Sequence, residues 1–166
     1  MTEEKIINNK DLRRALGCFP TGIAIVTTEN EAGDPIGLTV NSFNSVSLDP
    51  PLIIWSISLS APSINAFRYN KSFAVNILSS DQKELCQKFS TPSTDKFNGT
   101  AWEKSVMGVP LIIDSIAQFE CITHATYPGG DHEIYIGRVI NYTHNNKEPL
   151  ILSKGNRCFF SFNIFL

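Results

Sequence analysis

Residues 37–51 read GLTVNSFNSVSLDPP, and this stretch decides the predicted fold. It contributes to two predicted strands, at 36–42 and 43–48, and Asp49-Pro50-Pro51 ends the second one. Strands seldom carry so many Asn, Ser and Thr residues, because these side chains compete for backbone hydrogen bonds. A polar strand edge beside Gly37 would let a flat heterocycle lie against backbone N–H and C=O groups. The alternative is an exposed strand face with Thr and Ser at cross-strand positions.

The remaining chain contains more predicted strands than helices. Further strands are predicted at 23–28, 52–57, 72–78, 115–127, 133–142 and 157–162. Helices are predicted at 11–19, 63–68 and 81–89, and Asp81 is predicted to be the N-cap of the third helix. Residues 90–108 are polar and are predicted to be an irregular surface excursion. Turn signals at intervals of about eight to twelve residues are typical of antiparallel barrels. We therefore expect one mainly β domain over residues 1–166, a closed or nearly closed antiparallel barrel with a few flanking helices.

Composition and charge exclude several classes of protein. Of the 166 residues, 42% are hydrophobic and 18% are charged, below the roughly 25% of an ordinary soluble domain. The net charge of -2 provides no basic excess to neutralise nucleic-acid phosphates. No apolar run approaches the ~20 residues of a membrane span, and the first residues lack a signal peptide's apolar region. We expect a cytoplasmic protein that binds neither nucleic acid nor membrane, with its four cysteines as small core residues and not disulfides.

A cluster of hydroxyl groups precedes the second predicted helix. Residues 56–65 read SISLSAPSIN, so four serines fall close to the helix start. Hydroxyls and free N–H groups at a helix start form a natural phosphate site without Lys or Arg. A plain serine N-cap is the alternative, and it accounts for one of the serines but not for the cluster.

A glycine turn carries an acid and an imidazole near the end of the chain. Residues 127–134 read YPGGDHEI, which places Asp131 and His132 at the start of a strand. Histidine can donate, accept or change charge near neutral pH, and Asp131 could orient it through one ring nitrogen. The alternative is a hairpin turn with a surface histidine. A metal site of Cys121, His124 and His132 fits no standard ligand spacing, and we expect none.

Together these segments resemble the flavin reductase-like family, whose fold is the FMN-binding split barrel. The similarity is closest to the reductase components of two-component flavin-dependent monooxygenases. It covers nearly the whole chain in order: LRRALGCFPTG at 12–22, GLTVNSF at 37–43, SVSLDPP at 45–51, FAVNIL at 73–78, residues 82–89, GDH at 130–132 and IGRV at 136–139.

The resemblance implies an NAD(P)H:flavin oxidoreductase, in which hydride passes from the nicotinamide C4 to the flavin N5. The flavin would be FMN or FAD, the reductant NADH or NADPH, and reduced flavin could serve a partner monooxygenase. His132 would lie near the nicotinamide as the catalytic residue, and Phe89 along the flavin's flank. The isoalloxazine edge would be bound by Thr39, Val40, Asn41 and Ser42. The flavin phosphate would be bound by Ser58, Ser60 and Ser63. The phosphate region lacks the Lys or Arg that some relatives carry.

Two other functions remain compatible with the sequence: a non-catalytic flavin-binding or flavin-carrier protein, and a barrel that carries a small apolar ligand. The low charged fraction and the apolar residues 159–166, FFSFNIFL, also predict a homodimer with flavin sites at or near the interface.

Overall fold

The computed structural model describes residues 7–158, with side chains described through residue 155. Strands dominate these residues, with three short helices between them. The helices are α1 (Asn9–Leu16), α2 (Ile64–Tyr69) and α3 (Lys83–Ser90), and the strands are β1 (Thr21–Gly22), β2 (Ala24–Glu29), β3 (Pro35–Val40), β4 (Asn44–Leu48), β5 (Pro51–Ser58), β6 (Ser72–Ile77), β7 (Trp102–Lys104), β8 (Pro110–Ile112), β9 (Ala117–Gly129), β10 (His132–His144), β11 (Ile151–Ser153) and β12 (Asn156–Cys158).

Seven strands form one antiparallel sheet in the order β3-β2-β6-β9-β10-β5-β4. The sheet curls, but within residues 7–158 no ladder joins its two edge strands, so the barrel is split and not closed. Ser42 helps to hold the two ends together: its hydroxyl donates to the Ser56 carbonyl at 3.2 Å and accepts from the Ser56 N–H at 3.0 Å. The mainly β antiparallel split barrel is therefore confirmed, with the opening between β3 and β4.

The barrel core is aromatic. Trp55 on β5 stacks on Tyr135 of β10 with ring centroids 4.8 Å apart, and Phe67 of α2 and Phe73 of β6 pack edge-on or tilted against Trp55. All four are at most 2% exposed. Because α2 inserts Phe67 into this cluster, the residues just before α2 are held at a fixed place on the barrel rim.

The helices are short, and in the described part of the chain none is long and apolar enough to cross a membrane. Helix α1 starts where the Asn8 side chain accepts from the backbone N–H groups of Lys10 and Asp11. The helix buries none of its own residues, and Leu12 and Leu16 are exposed.

Two predictions about local structure are wrong. The N-cap of α3 is Gln82 and not Asp81, because the Asp81 carboxylate instead accepts from the Ser79 hydroxyl. The region 90–108 is not wholly irregular, since β7 pairs with β8. Strands β1 and β11 are too short to produce a sequence pattern, and they join β12 in a separate sheet. Only the start of the strand predicted at 157–162 lies within the described residues.

The cysteines follow the prediction in part. Cys86 and Cys121 are buried, whereas Cys18 is exposed after the end of α1, where its thiol donates to the Arg14 carbonyl at 3.6 Å. Burial, with a smaller contribution from the neighbouring Glu120, raises the pKa of the Cys121 thiol to about 12. Cys121 is therefore a neutral core residue.

Candidate functional site

The larger of two neighbouring cavities has a volume of about 780 Å³. It brings together segments that are far apart in sequence, and three of the predicted flavin contacts, Thr39, Ser63 and Phe89, face it. Its volume is within the range of about 300–1,000 Å³ typical of small-molecule and cofactor sites. The other walls come from the β2–β3 hairpin, from strand β3, from the turn before α2, and from the end of α3 with the loop that follows it. These residues are Asn30, Asp34, Pro35, Ile36, Gly37, Leu38, Ala61, Pro62, Ser90, Pro92, Ser93, Thr94, Asp95, Lys96 and Phe97.

Gly37 and Thr39 fix α3 against strand β3. A Cβ atom at Gly37 would lie 2.7 Å from Cε1 and 2.9 Å from Cδ1 of the Phe89 ring, so only glycine lets that ring lie on the strand. The Thr39 hydroxyl donates to the Cys86 carbonyl at 2.8 Å. The Phe89 ring is thereby held in place at the cavity wall.

The other predicted strand-edge residues do not line either of the two cavities. Val40 belongs to the core, Asn41 is exposed, and Ser42 is engaged with Ser56 across the barrel opening. Their polar pattern therefore has a structural cause at Ser42.

Of the three serines predicted to bind phosphate, only Ser63 faces the larger cavity. It is the N-cap of α2, but its side chain makes no capping hydrogen bond. The hydroxyls of Ser58 and Ser60 are 2.8 Å apart, and the Ser60 N–H also donates to the Ser58 hydroxyl at 3.2 Å. Ser58 and Ser60 thus rigidify the turn before α2.

The loop that follows α3 supplies a wall that the sequence predictions missed. The Lys96 ammonium donates to the Phe89 carbonyl at 2.9 Å and to the Gly37 carbonyl at 3.3 Å. Burial lowers the pKa of Lys96. Phe97 packs edge-on against Phe89, with centroids 5.1 Å apart, and this aromatic residue amid polar neighbours was the one sequence signal that the loop is anchored.

The smaller cavity, of about 290 Å³, lies beside the β9–β10 hairpin and contains His132. His132 Nδ1 lies 2.7 Å from the Asp131 carboxylate, and the hydrogen bond to His132 lowers the pKa of Asp131. Because an ionised carboxylate can only accept, Nδ1 carries the hydrogen, and Nε2 is the ring nitrogen left for another partner. This is the orientation predicted from the sequence.

An ion pair lines the same cavity. Arg68 on α2 donates to one Glu133 oxygen through Nε at 3.1 Å and Nη2 at 2.7 Å, and the Tyr135 hydroxyl donates to the other oxygen at 2.7 Å. The hydrogen bond from Arg68 is the main cause that lowers the pKa of Glu133. Burial and the bond to Glu133 raise the pKa of Tyr135 far above its ordinary value. The charge of Arg68 is therefore neutralised within the cavity wall.

The turn that precedes α2 lies between the two cavities. Leu59 lines the smaller one, whereas Ala61 and Ser63 line the larger one. Sheet register fixes this arrangement, because His132 is directly opposite Ser58 and the Leu59 N–H donates to the Asp131 carbonyl at 2.9 Å.

Between residues 7 and 158 no group of three or more His, Cys, Asp and Glu side chains is arranged to hold a metal ion. The alternative ligand set of Cys121, His124 and His132 is accordingly not assembled there.

Comparison with known proteins gives consistent matches. A sequence model described as "Flavin reductase like domain" matches residues 16–161. The chain is 43% identical over 148 residues to the FMN reductase (NADH) SmoA of Agrobacterium fabrum, over 89% of this chain and 84% of that protein. It is 42% identical over 144 residues to the reductase component of the flavin-dependent trigonelline monooxygenase of Acinetobacter baylyi, over 86% of this chain but 46% of that protein. The chain therefore spans only about half the length of the latter relative.

A solved structure has the same fold over nearly the whole chain. The NADH:FAD oxidoreductase SgcE6 of Streptomyces globisporus C-1027, in complex with NAD and FAD fragments, is 35% identical with a TM-score of 0.89. The match covers 97% of this chain and 99% of that one.

Proposed function

Because this chain belongs to the flavin reductase-like domain family, as its sequence motifs predict, we propose that it is an NADH-dependent flavin oxidoreductase that reduces FMN or FAD. The observation that carries the proposal is the larger cavity, where Thr39, Ser63 and Phe89 meet in a space of about 780 Å³. Some similar proteins are reductase components of monooxygenases, so we extend the proposal to delivery of reduced flavin to a partner oxygenase.

The flavin is proposed to bind in the larger cavity with its ring beside Phe89 and strand β3. Thr39 and the backbone around Gly37 offer polar groups at the ring edge, and Ser63 has a hydroxyl without a capping partner for the phosphate. Ser58 and Ser60 support the turn that carries Ser63. Val40, Asn41 and Ser42 do not line this cavity, and their contact with the flavin stays a prediction.

The nicotinamide is proposed to approach from the side of the smaller cavity, where one ring nitrogen of His132 is not used by Asp131. Nicotinamide and flavin supply the redox chemistry themselves, by hydride transfer between them. The contribution of the protein is then alignment at short range, which needs no acid–base pair. Asp131 holds the imidazole in one orientation, so His132 can position the nicotinamide carboxamide.

NADH is the reductant that the site favours over NADPH. The 2′-phosphate of NADPH is normally recognised by a free Arg or Lys. At the smaller cavity the basic side chain is Arg68, which is already paired with Glu133 at 2.7 Å. Relatives named as NADH-dependent, such as the NADH-dependent flavin reductase of a Rhodococcus species, agree with this preference.

A homodimer and a cytoplasmic location belong to the same proposal. The exposed apolar residues Leu12, Leu16 and Phe19 in and just after α1 offer a surface for a second copy, and Phe19 is 74% exposed. The apolar segment 159–166 that also motivates the dimer lies outside the described residues. Light scattering of the purified protein tests the dimer, and a stable monomer of 18.4 kDa would contradict it.

The function is tested by following NADH oxidation by the purified chain with and without added FMN, FAD or riboflavin. We expect oxidation that saturates with flavin and is faster with NADH than with NADPH. Flavin binding without turnover would support the alternative, a flavin carrier. A protein that binds no flavin would contradict both functions and leave the carrier of a small apolar ligand.

A further inference from the structure

Helix α2 contributes to the walls of both cavities. Ser63, directly before the helix, lines the larger cavity, and Arg68 in its last turn lines the smaller one. The helix has only six residues, so a shift of α2 would move both walls at once. The position of α2 against the β9–β10 hairpin, which carries His132, therefore sets how the two cavities lie relative to each other.

From this placement we propose that Arg68, Glu133 and Tyr135 form a positioning network, which holds α2 against strand β10 so that nicotinamide and flavin are aligned for hydride transfer. Arg68 is the positioning residue on the helix, and Glu133 is the one on the strand, next to His132 in sequence. Their role is alignment, and they add no chemical step to the hydride transfer. The inference rests on the proposed flavin reductase function.

The Glu133 carboxylate receives hydrogen bonds from both elements. Arg68 donates to one oxygen through Nε at 3.1 Å and Nη2 at 2.7 Å, and the Tyr135 hydroxyl donates to the other at 2.7 Å. Glu133 is partly buried, and the hydrogen bond from Arg68 lowers its pKa, so the carboxylate is ionised at neutral pH. Hydrogen bonds to an ionised group are short and strong. The carboxylate thereby joins α2 to β10 at a fixed distance.

The strand side of the network belongs to the aromatic core. The buried Tyr135 ring stacks on Trp55, with centroids 4.8 Å apart. Phe67, the neighbour of Arg68 in sequence, packs edge-on against both rings at 5.0 and 6.4 Å. Close-packed rings have little freedom to shift. The bond between Arg68 and Glu133 adds a second attachment to that of Phe67, and two attachments prevent a short helix from pivoting.

Hydride transfer is sensitive to small errors of alignment. The reacting atoms must approach to about 3–3.5 Å, and a misplacement of about 1 Å can lower the rate about 100-fold. An ion pair as exposed as that of Arg68 and Glu133 generally contributes little to stability, because water screens it. Loss of the network should therefore change the rate of hydride transfer far more than it changes folding.

The experiment compares R68M, R68K, E133Q and Y135F with a matched control, K104M. Lys104 and Glu29 form an ion pair of similar exposure: their side chains are 55% and 14% exposed, against 49% and 17% for Arg68 and Glu133. Neither Lys104 nor Glu29 lines either cavity. Circular dichroism and urea unfolding show whether each variant is folded and how stable it is.

The rate of hydride transfer is measured directly. Each protein is loaded with FMN in the absence of oxygen and mixed rapidly with NADH, and the loss of the oxidised flavin's absorbance is followed at increasing NADH concentration. NADH deuterated at C4 shows whether hydride transfer limits the observed rate. Flavin fluorescence gives the Kd for FMN.

We expect R68M and E133Q to lower the rate at saturating NADH by about tenfold or more, while the Kd for FMN stays within about threefold. Y135F should lower the rate by about threefold, because Arg68 still holds the other Glu133 oxygen. R68K should restore most of the rate lost in R68M, since an ammonium also donates to a carboxylate. K104M should transfer hydride as fast as the parent.

Several results would overturn the inference and leave the proposed function intact. These are an unchanged rate in folded R68M and E133Q, or an equal loss of rate in K104M. A higher NADH concentration for half-saturation, with the rate at saturation unchanged, would show that Arg68 contacts the ligand and does not act through alignment. If R68M and E133Q do not fold, Y135F keeps the ion pair, and a rate equal to that of the parent would refute the network. A parent that binds FMN but transfers no hydride from NADH would instead refute the proposed function itself.

Discussion

Replacing Gly37 by Ala tests the packing that builds the larger cavity. The new Cβ would lie 2.7 and 2.9 Å from two atoms of the Phe89 ring and 3.4 Å from Phe97. Phe89 is 1% exposed, so its ring has little freedom to move away. Overpacking of this kind costs about 1–3 kcal/mol of unfolding free energy. Because the displaced ring lines the proposed flavin site, the Kd for FMN should rise as well.

A double-mutant cycle isolates the clash. Phe89→Ala alone should cost about 3–5 kcal/mol, the usual range for a buried phenylalanine. In that background Gly37→Ala has no ring to displace, so its added cost should fall to within about 0.5 kcal/mol of zero. Gly22→Ala is the matched control, because a Cβ at Gly22 meets no atom within 4 Å.

Urea unfolding measures the cycle, and flavin fluorescence reports on the site. If Gly37→Ala is as stable as the parent and binds FMN equally well, the close contact between β3 and α3 is wrong. If Gly37→Ala and Phe89→Ala are simply additive, the destabilisation has another cause. A large effect of Gly22→Ala would show that the assay responds to any glycine replacement in a strand.

Three further predictions address the core, the ion pair and the imidazole. Asn76→Ala should destabilise the protein by about 2–4 kcal/mol in urea unfolding, because the buried side-chain oxygen Oδ1 of Asn76 accepts from the Ile112 N–H at 2.9 Å and that N–H would lose its partner. A cost below about 1 kcal/mol would contradict this. The lowered pKa of Glu133 contributes stability that is fully present above its ordinary pKa of 4.5 and is lost as the pH falls through the lowered value. Arg68→Met should therefore flatten the acid side of a plot of unfolding free energy against pH. An unchanged plot would contradict the pairing. His132→Asn should raise the KM for NADH about tenfold or more while the Kd for FMN stays within about threefold; unchanged kinetics would reduce His132 to a turn residue.

Local patterns predicted the elements that have strong local signals. The β-branched run at 23–28 and the apolar run at 52–57 became β2 and β5, because a buried strand needs such residues in sequence. The contact between Asp131 and His132 was predictable, since adjacent residues in a tight turn have few alternatives. The family motifs added the split-barrel fold, which no local pattern contains, whereas the strand order came only from the structure.

Long-range contacts could not be predicted from the sequence in the same way. Lys96 binds the carbonyl of Gly37, which is 59 residues away, and nothing near Lys96 in the sequence indicates this partner. The hydroxyl of Ser42 forms hydrogen bonds with the Ser56 backbone across the barrel opening, where the sequence suggested a ligand contact. The hydroxyls of Ser58 and Ser60 form a hydrogen bond with each other, so fewer hydroxyls are available to a phosphate than the sequence cluster suggested. In each case tertiary geometry decided which polar group is free.

The two halves of the proposed site depend on different parts of the fold. His132 is placed by sheet register: the β9–β10 hairpin has a two-residue loop in which Gly130 has a φ of 69°, and His132 lies opposite Ser58. A register slip of one residue would turn the imidazole to the other face of the sheet. The larger cavity instead depends on loop and helix contacts, such as those of Lys96 and Phe89. Changes in the loop at 90–97 should therefore alter flavin affinity while the KM for NADH at saturating flavin stays the same. If instead such changes shift both constants together, the two cavities are coupled through the turn between Ser58 and Ser63.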